Sequence, residues 1–154
     1  MNEPSNSQKY HHSFSASAHN EAMDILYSDK PSRTEIVGLI ELAHVAHWHW
    51  IKREDKQPQN ISVSLWLLSR AYSANGFGEA SLTYAQQSLV TIQEEKLLPS
   101  FYGYSNEALA RAHILLNNHR EATFHLDRAI EIAETVPNEQ AKGYLLDQIN
   151  RIQL

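Results

Sequence analysis

A histidine-rich segment, residues 41–49, carries side chains whose types and spacing could bind a metal ion. Glu41 and His44 have Glu-x-x-His spacing, and His47 shares a face with His44 because residues three apart are neighbours on a helix. Carboxylate and imidazole ligands suit zinc or iron. Glu41, His44 and His47 are therefore the candidate metal ligands of this chain.

The same segment also has a structural interpretation. A dinuclear carboxylate site in a helical bundle needs Glu-x-x-His on a second helix and two further glutamates. The chain contains no second Glu-x-x-His, and His49 lies on another face, since each residue turns a helix by about 100°. The alternative is that these histidines are hydrogen-bonded aromatic side chains packed beside Trp48 and Trp50.

Two arginines occupy the same place in a segment that occurs twice. Residues 68–72 are Leu-Ser-Arg-Ala-Tyr and residues 109–113 are Leu-Ala-Arg-Ala-His, at an offset of 41. Guanidinium groups beside aromatic rings suit carboxylate or phosphate recognition through paired hydrogen bonds and stacking. The alternative is structural: because an arginine is costly to bury alone, Arg70 and Arg111 would each pair with a neighbouring glutamate and hold the repeats together.

An aromatic cluster, Phe-Tyr-Gly-Tyr at residues 101–104, follows Leu97 and Leu98. Such a cluster at the start of a helical hairpin favours packing between neighbouring hairpins. If part of it were exposed, it would instead favour a contact with another protein.

The sequence contains none of the common motifs for phosphate binding, hydrolysis or thiol chemistry. There is no glycine-rich phosphate loop, Gly-x-Ser-x-Gly, His-Glu-x-x-His or cysteine. The net charge of −5 and the lack of a Lys/Arg stripe argue against a nucleic-acid partner. No apolar run approaches the roughly 20 residues that cross a bilayer, and the first 17 residues lack a signal-peptide core. We expect a non-enzymatic cytoplasmic protein without a cofactor or a membrane partner.

The residues above must be positioned by helices. The chain of 154 residues, 42% of them hydrophobic, is long enough for one domain with its own core. Residues 1–17 are polar and without periodicity, which predicts a flexible tail. Asn75-Gly76 and Asn117-Asn118 predict left-handed helix ends. Apolar periodicity with proline, glycine and asparagine breaks predicts helices at about 19–27, 33–53, 61–74, 78–95, 100–117, 120–135 and 139–152.

A second pair of matching residues lies downstream of the arginine segment. Glu79-Ala80 corresponds to Glu121-Ala122 at an offset of 42, which predicts that the two hairpin joints differ by one residue. Two matches in fixed order indicate a repeated structural unit.

The repeated unit resembles the tetratricopeptide (TPR) repeat, and the chain is similar to uncharacterised bacterial TPR-like proteins. Its spacing of 41 to 42 residues exceeds the usual 34, and Leu65 and Asn106 replace the family's early tryptophan. The matching positions are Leu68, Ser69, Ala71, Tyr72, Ala80 and Tyr84 in one unit, and Leu109, Ala110, Ala112, His113, Ala122, Leu126 and Ala129 in the other.

The resemblance implies an all-α fold of antiparallel helical hairpins stacked in a short right-handed superhelix. A single domain at 18–154 would contain a degenerate unit at 19–56, repeats at about 61–98 and 99–136, and a C-terminal capping helix at about 139–152. Small residues at Ser69/Ala110 and Ala80/Ala122 would let paired helices approach closely.

The resemblance also implies a function. The first helix of each TPR hairpin lines a concave groove, which would be formed here by Trp66, Arg70, Tyr104, Glu107 and Arg111. We therefore expect a protein- or peptide-binding scaffold. The alternative is a small-ligand or metal-binding protein that uses the His44/His47 face. Self-association into a homodimer stays open, because a short stack exposes apolar ends.

Overall fold

The computed structural model describes residues 6–153, and these residues form helices joined by short connections, without a strand. The all-α prediction is confirmed. The helices are α1 (Asn6–Tyr27), α2 (Arg33–Lys52), α3 (Pro58–Ala74), α4 (Gly78–Glu95), α5 (Pro99–Leu115), α6 (His119–Thr135) and α7 (Glu139–Asn150). No helix in the described part of the chain is long and apolar enough to span a membrane.

Helices that follow one another in sequence pack against each other along the whole stack. Connections of three residues join α3 to α4, α4 to α5 and α5 to α6, and such short connections make neighbouring helices antiparallel. The odd-numbered helices also touch one another, α1 to α3, α3 to α5 and α5 to α7. One face of the stack is therefore built mainly from odd-numbered helices.

Local sequence sets most helix ends. Ser32 and Glu35 form a capping box at the start of α2. Pro58 and Pro99 begin α3 and α5, where a missing backbone N–H costs nothing. Gly76 and Asn117 have φ values of 80° and 58°, so the predicted left-handed helix ends fall on these two residues.

The repeat offset is 41 throughout, which corrects the predicted change to 42. From α3 to α5 the helix start moves from residue 58 to 99, and from α4 to α6 from 78 to 119. The buried counterpart of Ala122 is therefore Ser81 rather than Ala80. The Ser81 hydroxyl lies 3.1 Å from that of Ser69, which is the close helix contact predicted for Ala80.

The predicted flexible tail over residues 1–17 is wrong from Asn6 onward, where α1 is helical, and residues 1–5 lie outside the described residues. Its polar side chains bind the end of α2. Gln8 donates to the Lys52 carbonyl at 3.1 Å and accepts from the Glu54 amide at 3.1 Å. The first part of α1 is thus polar in composition but helical, and its distant hydrogen-bond partners lie 38 to 46 residues away in sequence.

The core has two parts. The larger one joins α1 through α5 and contains Leu39, Leu67 and Leu68. The smaller one joins α6 and α7 around Ala133 and Leu145. A close approach of α7 to α5 links the two parts at Gly103, where an added Cβ would clash with Leu145 Cδ2.

The first prediction concerns this approach. Gly103→Ala will destabilise the protein by about 1–3 kcal/mol, because the fully buried Leu145 must shift in a packed core. Gly143→Ala is the matched control on α7, since a Cβ there meets nothing within 4 Å, and helix propensity predicts a gain of up to about 1 kcal/mol. Urea unfolding measures both; equal stabilities of the two variants would contradict the packing described.

Candidate functional site

The structure brings the five predicted groove residues together, but it places three of them in the interior. Arg70 is 6% exposed, Trp66 5% and Glu107 0%. Tyr104 and Arg111 are partly buried beside them. The predicted open surface of arginines is therefore corrected: both guanidinium groups serve an internal network.

Glu107 is the centre of that network. Its Oε1 accepts hydrogen bonds from Arg70 Nη1 at 2.9 Å and from Arg111 Nε. Its Oε2 accepts from Trp66 Nε1 at 3.2 Å. Both carboxylate oxygens are satisfied, as a fully buried carboxylate requires. This is the pairing with a glutamate that the sequence offered as the structural alternative.

Helix α7 closes the network from the C-terminal side. The side-chain carbonyl of Gln148 accepts from Arg70 Nη1 at 3.0 Å, and its backbone carbonyl accepts from Arg111 Nη2 at 2.8 Å. Burial lowers the pKa of Arg70, and the charge of Glu107 opposes that shift. The arginines thus fasten α3, α5 and α7 to one another.

The candidate metal ligands do not converge. His44 Nε2 shares a hydrogen bond with the Tyr72 hydroxyl at 2.9 Å, and His47 Nδ1 shares one with the Ser64 hydroxyl at 2.8 Å. Glu41 is exposed. Across residues 6–153, no group of three or more His, Asp or Glu side chains is arranged to hold a metal ion.

Histidine pairs instead join neighbouring helices. His11 Nδ1 on α1 lies 2.9 Å from His49 Nδ1 on α2. His113 on α5 stacks on His125 on α6 with ring centroids 5.5 Å apart. Burial first, and then the neighbouring histidine, lowers the pKa of His49 and of His125. The fold therefore favours the neutral imidazole at His49 and at His125.

A groove opens on the face built from odd-numbered helices. Its deeper pocket has a volume of about 230 Å³ and is walled by Tyr27, Trp66, Phe101, Tyr104 and Ala141, from α1, α3, α5 and α7. Its floor contains three buried serines joined by hydrogen bonds: Ser88 Oγ lies 3.2 Å from Ser62 Oγ and 2.9 Å from Ser105 Oγ.

A shallower pocket of about 190 Å³ adjoins the first and shares His19, Val63 and Phe101 with it. Trp50 of α2 and the amides Gln59 and Asn60 complete its lining. We call the two pockets together the odd-helix groove.

The odd-helix groove is uncharged near neutral pH. Among the described residues that line it, none is Asp, Glu, Lys or Arg. Burial lowers the pKa of His19 and raises those of Tyr27 and Tyr104, so each of these side chains is held neutral. His19 Nδ1 is buried without a hydrogen-bond partner in the described part of the chain.

Part of this groove coincides with residues that the sequence singles out. Trp66 and Tyr104, two of the five predicted partner-binding residues, line the deeper pocket, and so does Phe101 of the aromatic cluster at residues 101–104. Sequence reasoning missed His19, whose place in the groove depends on how α1 packs. It also missed the serine floor, because Ser62, Ser88 and Ser105 lie on three different helices and meet only when those helices pack.

No protein-family model matches the chain, and neither curated proteins nor solved structures provide a match. The geometry of the molecule alone therefore carries the functional argument.

The second prediction tests the buried network. Glu107→Gln leaves Arg70 and Arg111 without their counter-charge, and it will cost about 3–5 kcal/mol of unfolding free energy. Glu131→Gln is the matched control, because the Arg128–Glu131 pair is exposed and such pairs contribute about 0–1 kcal/mol. Urea unfolding compares them; similar losses would contradict a dependence of the fold on Glu107.

The third prediction follows from the histidines. Four histidines have lowered pKa values in the folded protein: His19, His47, His49 and His125. Below about pH 6.5, the unfolded chain therefore binds more protons than the folded protein does. Stability is therefore full above that pH and falls as the pH drops through the folded pKa values. Thermal melts between pH 7.5 and 5 will show a decreasing melting temperature.

His47→Gln removes one of these titrating groups and keeps a polar partner for Ser64, so the decrease will be shallower. Exposed His119 provides the control variant His119→Gln, which will leave the slope unchanged. A slope that is the same in all three proteins would refute this origin of the pH dependence.

Proposed function

We propose that this protein is a non-enzymatic binding module that takes a segment of another protein in the odd-helix groove, with one apolar or aromatic side chain of that segment in the deeper pocket. The observation that carries the proposal is an uncharged, aromatic-walled groove shared by α1, α3, α5 and α7. Stacked helical hairpins commonly bind extended partners along such a face.

The size of the deeper pocket favours a side chain over a free small molecule. Pockets for drug-sized ligands and cofactors have volumes of roughly 300–1,000 Å³. The deeper pocket, at about 230 Å³, lies below that range, and it continues into the shallower one instead of closing. A chain that lays one anchor residue in the first pocket and continues along the second fits this shape.

The polar groups of the groove suit peptide backbone. Gln59 and Asn60 place amides in the shallower pocket, and an amide side chain both donates and accepts hydrogen bonds. A buried anchor carrying a charge would find no opposite charge there, so the occupant is uncharged where it enters. The alternative of a metal or small ligand on the His44/His47 face has less support, since both histidines already hydrogen-bond to α3.

The fourth prediction tests the groove with a phage-displayed library of random 12-residue peptides panned on the purified protein. Selected peptides will share one large apolar or aromatic residue flanked by uncharged residues. Val63→Trp will weaken their binding about tenfold or more, because Val63 lines both pockets and a larger ring there fills them. Fluorescence anisotropy with a labelled selected peptide gives the dissociation constants.

Val90→Trp provides the matched control: Val90 is exposed on α4 and lines neither pocket. Circular dichroism and melting temperature establish that both variants fold. The proposal fails if no peptide is enriched over an unrelated immobilised protein, or if the Val63 and Val90 variants bind the selected peptides equally well.

A further inference from the structure

The outer surface of α2 carries a stripe that no part of the described chain covers. Glu41, Val45, Trp48 and Lys52 follow one another at spacings of four, three and four residues, so they lie along one side of the helix. Trp48 is 55% exposed and Val45 40%. An exposed tryptophan beside an exposed valine is unusual on a surface that meets only water.

The apolar surface extends onto α1. Phe14 is exposed and lies against His49 with ring centroids 5.2 Å apart, and Tyr10 stacks on Phe14 at 6.4 Å. We call Tyr10, Phe14, Glu41, Val45, Trp48 and Lys52 the α2 patch.

The charged residues at the two ends of the stripe indicate which surface can pair with it. Glu41 lies one turn before the apolar pair and Lys52 one turn after it. When α2 is placed antiparallel to a second α2, a two-fold axis between Ala46 and His47 sets Val45 opposite the other Trp48. The same axis sets Glu41 opposite the other Lys52 at both ends. One register therefore satisfies the apolar and the charged residues together.

We propose that the α2 patch is a dimer interface, in which two copies of this chain pair their α2 helices antiparallel. A surface that complements itself about a two-fold axis is the requirement for an isologous dimer. Trp48 and Val45 form its apolar centre, and two Glu41–Lys52 ion pairs flank it and fix the register. In the free chain, Lys52 Nζ lies over the Trp48 ring, 4.7 Å from its centroid, so Lys52 is already positioned at the edge of the apolar centre.

The dimer leaves the odd-helix groove open. Trp50 lines that groove, and Trp48, two residues earlier, points to the other side of α2 because two residues turn a helix by about 200°. The interface and the groove thus use opposite sides of one helix. Dimer formation and peptide binding are therefore independent, so an experiment that contradicts one of them leaves the other standing.

The fifth prediction is tested by sedimentation equilibrium on the untagged chain from 1 to 200 µM (roughly the range in which weak dimers are resolved). The wild type will move from 17.6 kDa towards twice that mass as its concentration rises. Trp48→Glu will stay monomeric, and Phe124→Glu, an equally exposed aromatic on α6, will dimerise as the wild type does. A wild type that stays monomeric, or equal effects of the two variants, would overturn the proposal.

Charge reversal tests the register. Glu41→Lys alone and Lys52→Glu alone each place like charges opposite one another at both ends of the interface, so each will raise the dimer dissociation constant about tenfold or more. The double variant Glu41→Lys/Lys52→Glu restores opposite charges and will return the constant to near its wild-type value. Failure of the double variant to recover would exclude the antiparallel register.

Discussion

The fold depends on one buried carboxylate. Glu107 is removed from water in the middle of α5, and a lone carboxylate there would be strongly unfavourable. Two arginines, one from the same helix and one from α3, neutralise it, and the indole of Trp66 binds its remaining oxygen. Since two cations face one anion, Gln148 completes the set by giving both guanidinium groups an oxygen from α7. The position of α7 therefore depends on the charged side chains of α3 and α5 that surround Glu107.

Trp66 connects this buried network to the odd-helix groove. Its ring forms a wall of the deeper pocket, with the Tyr104 ring edge-on at 5.5 Å, while its N–H is bound to Glu107 behind the wall. The groove therefore keeps an apolar surface although the Arg70 guanidinium lies only 5.5 Å from the centroid of the Trp66 ring. In the binding module that we propose, Arg70 does not touch the bound segment; it holds Glu107, and Glu107 in turn holds the Trp66 ring in the pocket wall.

The sequence predicts the helices well where local signals act, and poorly where distant partners decide. Helices α2 to α7 begin and end close to their predicted places, because apolar periodicity coincides with Pro58, Pro99, Gly76 and Asn117. The sequence predicts only the second part of α1, at 19–27, because Gln8 and His11 in its first part have their hydrogen-bond partners on α2, outside any local window. The direction of Arg70 was equally undetermined, since Gln148, which orients it, lies 78 residues further along.

The same limit explains why spacing alone misread the histidines. Residues 41–49 place carboxylate and imidazole groups at metal-binding intervals, yet the imidazoles bind side chains on two different helices: His44 and His47 on α3, and His49 on α1. A helix packed between two others satisfies its polar side chains on both flanks, which leaves only its outer side without partners. On α2 that outer side holds Glu41, Val45, Trp48 and Lys52. In the dimer that we propose, two odd-helix grooves would be held at a fixed separation, and a partner with two suitable segments would bind more tightly than either segment alone.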